Sequence, residues 1–473
     1  MKQKLQLAIM AVLTAAATTF TFADDAKTTP PPSVWQSYQD WQFQPVTIND
    51  PNSGENVRNQ MDFTVPIHGP WLTCPAPDGM TVTWITRIKC AGGIEYREKG
   101  KEEWTALWPV KYGQIDYSRD LHSFHLKGLK PGTEYEYRLL SNLDSYNTAY
   151  HMVICTAREI YTFKTIDPKK SNYRVFVTAD FHGGSRLCLD PMIDRTDALK
   201  SDMFFFLGDT VEDGMYTNIR YFTTFGFLDD ITRKWGKEKP TVFLRGNHDI
   251  NGYDTYQYGD YFPQPNERTY QAIAQGPVLF LCLDTMWPSK MKLQNEQHIK
   301  YLQEQVAWIK ELKKTPVWKK AKFRIVMGHV APFASEGTKF VGDVFNEVFS
   351  DNSKDGKIHA FLAGHEHAYW RINAGTKELR FSNLHNDVNL KNYPSAYIRK
   401  TVIPDNVPYT LVVCHLTEAM TIDVSNEKLI FQSHRYSKPD GGFYDAFEMY
   451  PDGSVKDLVE TVSIPITGPA VKK

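Results

Sequence analysis

What most constrains this chain is a device repeated five times: a short apolar run that stops abruptly at a residue able to bind a metal ion. Val175-Phe176-Val177 leads into Asp180-Phe181-His182, and the apolar run 203–207 ends in Gly208-Asp209. Residues 241–244 lead into Gly246-Asn247-His248-Asp249. Residues 323–327 end in Gly328-His329, and residues 359–363 in Gly364-His365-Glu366-His367. Each run has the length and β-branched or aromatic content of a buried strand. A ligand-type residue at a strand's carboxyl end lies where open α/β sheets bind their ligands. Glycine before the ligand, or Gly183-Gly184 after His182, permits a tight turn and a close backbone approach, so that several strand ends can converge on one point.

Between these runs lie helical stretches, such as 303–314 around Val306, Ile309 and Leu312. Strands alternating with helices predict an α/β layered domain, placed at residues 172–460. Its part beyond Asn373 is mainly β, and no linker separates that part from the rest. Residues 63–167 have a different texture. Short alternating runs at 80–84, 93–97 and 122–126 are separated by turn residues. Within 129–137 a Pro-Gly turn precedes a strand whose Tyr135 and Tyr137 share a face, as a sandwich core requires. This segment resembles a fibronectin type III domain. The expected fold is therefore an N-terminal all-β sandwich followed by a four-layer αββα domain.

The remaining ends carry less. Residues 1–23, with Lys2 and Lys4, an apolar stretch around 5–13 and Thr21-Phe22-Ala23, read as a secretory signal peptide. Residues 24–62, with three consecutive prolines at 30–32, read as an extension whose Trp35 and Trp41 would pack onto a later domain. Later stretches are too short or too polar to cross a bilayer, so an exported protein, periplasmic or secreted, is expected. Fifty-four Lys and Arg face 55 Asp and Glu, a formal net charge of −1, which argues against non-specific nucleic-acid binding. Six cysteines, at 74, 90, 155, 188, 282 and 414, show no Cys-x-x-Cys spacing. Six allow about 15 pairings, and no catalytic role is expected of them.

The five motifs in this order resemble the calcineurin-like metallophosphoesterases. That resemblance implies that Asp180, His182, Asp209 and His367 hold one metal, and that Asp209 bridges to a second held by Asn247, His329 and His365. Carboxylate and amide oxygens mixed with imidazoles, with no thiolate, independently suit Fe, Mn or Zn, as a divalent or mixed-valence pair. His248 is then expected to be the general acid, oriented by Asp249, in hydrolysis of a small phosphomonoester or phosphodiester by attack of a metal-bound hydroxide. Glu212, Asp213 and Glu366 are nearby acids expected to lie outside the ligand set. Arg186 and Arg245 are candidates for meeting phosphate, or equally for structural ion pairs.

A sandwich ahead of such a domain is similar in layout to the purple acid phosphatases, with two departures. Their first motif is Asp-x-Gly, and a tyrosinate lies three residues after the bridging aspartate. Here those positions are His182 and Glu212. The exchange of a phenolate for an imidazole predicts no purple charge-transfer band and a preference for divalent ions. A nucleotide-directed hydrolase of the 5′-nucleotidase or cyclic-nucleotide type, and a catalytically weak surface-binding protein, are the alternative functions. Aromatics of the segments 214–224, 251–265 and 332–342 (Tyr216, Tyr253, Tyr258 and Phe333) would either stack on a leaving group or pack as a lid.

Overall fold

The computed structural model describes residues 43–45, 66–143, 153–157, 159–183, 185–211, 227–250, 254–285, 292–333, 339–382, 407–414, 416, 418–436 and 441–466. The chain divides into two compact units, Met1–Trp41 and Gln42–Lys473, and the first lies wholly outside the described residues. Residues 1–23, read above as a signal peptide, nearly all of the extension, Glu212, Asp213, Tyr216, Tyr253 and the side chain of Arg186 also lie outside them.

Two sheets face one another at the centre of the α/β domain. In the first, Tyr173–Thr178, Met203–Phe206 and Thr241–Phe243 run parallel, in that order from the middle to one edge. Its other half is antiparallel, from Ala419–Val424 beside Tyr173–Thr178 out to Val455–Asp457. In the second, Val278–Cys282, Phe323–Met327, Ala360–Ala363 and Thr410–Val413 are parallel neighbours. Antiparallel strands flank them, including the late pair Glu378–Ser382 and Thr461–Pro465. The part of the chain beyond residue 373 thus adds strands to both sheets.

Strand periodicity sorts the core into layers. Val175, Val177, Met203 and Phe205 point inward, against Phe280, Ile325 and Leu362 of the facing sheet, and all are buried. The alternate residues Phe176, Phe204 and Phe206 point outward against Leu189 and Met192 of the helix Ser185–Arg195 and against Trp235. On the far side, Leu279, Leu281, Val326 and Phe361 meet the helices Lys292–Lys314 and Lys339–Phe349 through Leu302, Val306, Ile309, Val341 and Phe345. The layering is αββα, as expected. The helix expected over 303–314 begins earlier, at Lys292. Its first turns expose most of their side chains, so they carry no apolar period to announce them.

Among the described residues, eight paired strands form the N-terminal sandwich, with one correction to its expected strands. The runs at 80–84 and 93–97 belong to a single 20-residue strand, Gly79–Glu98. Its first half pairs with Pro66–Ala76 and Arg119–Lys127. After a register shift between Ile85 and Cys90 its second half pairs with Glu134–Leu143 and Thr105–Leu107. The bulge turns one strand from one layer into the other, which breaks the alternation and makes one strand read as two. Tyr137 is fully buried beside Tyr161 and Phe163.

The sandwich packs on the α/β domain through its own buried aromatics. Trp71 and Ile85 join the outward core of the first sheet. The Trp71 indole N–H donates to Tyr261 O at 3.0 Å, and the Tyr137 hydroxyl to Lys237 O at 2.7 Å. Cys74, Cys90, Cys282 and Cys414 are buried; the side chains of Cys155 and Cys188 lie outside the described residues. Among the described residues no helix is long and apolar enough to cross a membrane.

Candidate metal centre

All the parallel strands of both sheets end at one edge, and the five motifs lie there. Tyr173–Thr178 delivers Asp180 and His182, and Met203–Phe206 delivers Asp209. Thr241–Phe243 delivers Asn247, Phe323–Met327 delivers His329, and Ala360–Ala363 delivers His365 and His367. Phe181 is the anchor of its triplet: its ring is buried against Phe206 and Phe227, which sends its two neighbours the other way.

The backbone pays attention to the ligand positions more than to the glycines. Asp180, His182, Asp209, His365 and His367 all have positive φ, between 48° and 72°. Non-glycine residues adopt this region at a cost of order 1–3 kcal/mol each, and such residues cluster where function demands them. The preceding glycines serve close approach. A Cβ on Gly246 would fall 2.1 Å from Asp209 Oδ1, and one on Gly364 2.5 Å from Asp180 Oδ2. The expectation of conformational freedom at glycine is met at Gly208, with φ of 96°.

The candidate ligand atoms fall into two groups that share one carboxylate. Single atoms of Asp180, His182, Asp209 and His367 lie within 4.8 Å of one another, and so do single atoms of Asp209, His329 and His365. Asn247 joins the second group, since its Oδ1 lies 3.1 Å from His329 Nε2 and 2.7 Å from His365 Nδ1. Asp209 splits its two oxygens. Oδ1 accepts the backbone N–H of His248 at 2.8 Å. Oδ2 faces His329 Nε2 at 3.1 Å, His248 Nε2 at 3.9 Å and His182 Nε2 at 4.0 Å.

These contacts fit a metal centre by their chemistry. His182 Nε2 and His367 Nε2 stand 3.1 Å apart, so two ring nitrogens converge where a shared cation would satisfy both. On the other side, His329 Nδ1–H donates to Leu207 O at 2.8 Å. That bond fixes the ring with Nε2 facing Asn247 and Asp209, the orientation that metal-binding histidines require. Asp180 holds the His365 backbone N–H with both oxygens at 3.0 Å, tying the first motif to the last.

Burial and charge act strongly here. Burial disfavours the Asp209 carboxylate, but the imidazoles of His329, His248 and His182 outweigh it and hold the carboxyl well below the usual range. Burial likewise opposes charge on His329, yet Asp209 raises its pKa to about 9. His365 is lowered to about 4 by burial and by His329. Burial, then the charge of Asp209, pushes Asp249 up to about 6, and burial pushes Glu366 to about 7.

The other residues singled out from sequence take up these positions. The His248 ring edge meets the His182 ring at a centroid distance of 4.7 Å, beside the ligand groups. Asp249 accepts the backbone N–H of Gly246 at 2.7 Å and of Val211 at 3.4 Å, so it organises the loop on which His248 sits. Arg245 pairs with the buried Asp284, with Nε at 2.7 Å and Nη2 at 2.6 Å from Oδ2, the structural role of the two expected for it. Tyr258 and Phe333 are buried and pack as core. Sequence reasoning passed over Asp284 and Thr285, because their strand end carries neither a glycine nor a histidine.

Comparison with known proteins agrees with this layout. Residues 173–369 match the family described as calcineurin-like phosphoesterase, and residues 67–165 the purple acid phosphatase N-terminal domain. A solved structure described as "Structure of PhoD" aligns over 85% of this chain and 94% of its own, with a TM-score of 0.54 and 12% identity, a likeness of fold. Another, described as "Myokine structure", covers 22% of this chain and 96% of its own at 15% identity, with a TM-score of 0.17. No curated protein matches the chain at a significant level.

Proposed function

The chain is a calcineurin-like phosphoesterase over residues 173–369 behind a purple acid phosphatase-type N-terminal domain over residues 67–165, a metal-dependent hydrolase of phosphoric esters; from that premise we propose that it works as an exported enzyme with two metal ions, cleaving small phosphomonoesters or phosphodiesters. Asp209 carries the proposal, because its carboxylate belongs to both groups of ligand atoms. Asp180, His182, Asp209 and His367 would hold one ion, and Asp209, Asn247, His329 and His365 the other. When bound, such a pair supplies Lewis-acid polarisation of the phosphoryl group, acidified water and countercharge for the transition state.

The remaining work falls to side chains of this chain. His248, partly exposed beside Asp209 Oδ2, donates to a phosphate oxygen or to the leaving group, a role worth about 10²–10⁴ in rate. Asp249 positions it through the backbone of residues 246–249. An oxygen and imidazole donor set without a phenolate or thiolate favours divalent Mn, Zn or Fe. Export rests on the charged and apolar pattern of residues 1–23.

One preparation from the exported fraction tests these points together. Metal content, the visible spectrum and hydrolysis of an aryl phosphate and a bis-aryl phosphate are measured across pH. Two ions per chain, no intense visible band and turnover of at least one ester are expected. Asp209→Asn should abolish both activities, and His248→Gln should lower kcat about 100-fold or more with metal content retained. Activity unchanged in Asp209→Asn overturns the dinuclear mechanism. An intense band overturns the metal preference, and retention in the cytoplasm with residues 1–23 intact overturns export.

A further inference from the structure

One parallel strand of the second sheet, Val278–Cys282, ends at the metal-bearing edge without offering a ligand. It runs on through Leu283 into Asp284 and Thr285, both with 0% exposure. Asp284 Oδ2 receives Arg245 through two nitrogens, and the Thr269 hydroxyl at 2.6 Å. Its backbone is held from the helix Lys292–Lys314. The Asp284 N–H donates to Gln305 Oε1 at 2.9 Å, and Gln305 Nε2 donates to Asp284 O at 2.9 Å. Asp284 is thus a fixed point, and Arg245 reaches it from the other sheet, one residue before Gly246-Asn247.

Thr285 makes the second connection. Its hydroxyl accepts the backbone N–H of Val330 at 2.8 Å. Its methyl lies 2.7 Å from where a Cβ on Gly328 would fall, so the loop 328–330 rests directly on it. The two adjacent side chains therefore brace two loops, one carrying Asn247 and one carrying His329. Those two residues belong to the same ligand group, with Asn247 Oδ1 3.1 Å from His329 Nε2.

We propose that Asp284 and Thr285, with Arg245, are positioning residues for the metal site formed by Asp209, Asn247, His329 and His365, and set its affinity separately from that of the site formed by Asp180, His182, Asp209 and His367. They touch neither ion nor substrate. The assignment rests on the dinuclear reading above. Groups that orient metal ligands typically govern affinity by about 10–100-fold, and the charge of a buried Arg–Asp pair cannot be removed from one side without disturbing the other.

The test uses the full chain, stripped with chelator and titrated with Mn²⁺, reading bound ions per chain and the electron paramagnetic resonance signal of an ion pair against that of a single ion. Asp284→Asn and Thr285→Val are compared with wild type. Tyr137→Phe, which loses a part-buried hydrogen bond from the sandwich to Lys237 O and touches none of the candidate ligands, controls for stability alone. Wild type and Tyr137→Phe should fill two sites. Each of the other two should weaken one site about 10–100-fold, keep the other, and give the single-ion signal at Mn²⁺ levels that fill both sites in wild type. Thr285→Val leaves the Arg245–Asp284 pair intact, so it decides the matter if Asp284→Asn does not fold. Two sites at wild-type affinity in Thr285→Val, or equal loss of both, overturns the assignment alone. A wild-type chain that binds a single ion overturns the dinuclear reading and the assignment with it.

Discussion

At the scale of residues, the site depends on small groups being absent as much as on ligands being present. Gly208 shows why. It adopts φ of 96°, and a Cβ there would lie 2.7 Å from Gly246 N and from His329 Nδ1, and 2.8 Å from Gly246 Cα. Backbone atoms of a neighbouring loop cannot move aside without moving Asn247. Gly208→Ala should therefore cost about 1–3 kcal/mol of stability and displace His329 from Leu207 O. Gly375→Ala is the comparison: φ is 70° there, but nothing lies within 4 Å of the added carbon, so only the left-handed cost of about 1–2 kcal/mol applies. Urea midpoints and metal content measured on both variants separate the two effects. Metal content retained in Gly208→Ala would show that the close approach is not needed.

At the scale of elements, the two sheets are clipped together by buried polar groups at their edges. Arg371 and Asp445, both with 0% side-chain exposure, join the strand Trp370–Ile372 of one sheet to Phe443–Met449 of the other. The Tyr369 hydroxyl donates to the same carboxylate. His359 is a second clip. Its Nδ1 accepts the Arg324 backbone N–H at 3.0 Å, and its Nε2–H donates to Pro451 O at 3.0 Å, so the ring must be neutral. Burial above all lowers its pKa from 6.5 to about 4. The unfolded chain then takes up a proton below about pH 6.5 that the fold refuses. The stability His359 contributes is complete above that pH and is lost as pH falls from 6.5 towards 4. His122 and His434, lowered to about 4 by burial in the same way, act in the same window. His359→Asn keeps an acceptor and removes the titration. It should be less stable than wild type at pH 8, with the gap narrowing by pH 4.5. Equal gaps in urea midpoint at the two pH values would rule out this clip as a source of acid sensitivity.

At the scale of the whole molecule, the sandwich and the catalytic layers share a core. Trp71, fully buried, packs with Phe176, Phe204 and Trp235, and further contacts run from His68 to Asp229 at 2.9 Å and from Thr232 to Pro70 O at 3.3 Å. Trp71→Ala should cost about 3–5 kcal/mol, and the chain from residue 66 on should unfold in one transition by both tryptophan fluorescence and circular dichroism. Two separated transitions would make the sandwich an independent domain. The strand ends and the candidate ligand residues that the fold brings together there were legible in the sequence, since apolar runs, turn residues and ligand types are local signals. So was the succession of a sandwich and layered sheets, because the two stretches differ in period. Tertiary structure alone decided how those signals combine: that Gly79–Glu98 is one strand serving two layers, that Arg245 is committed to Asp284, that Asp284 and Thr285 brace the loops of Asn247 and His329, and that five of the seven candidate ligands, Asn247 and His329 aside, take left-handed backbone. Each of these depends on which residue another part of the chain brings within a few ångströms, and a local pattern does not contain that distance.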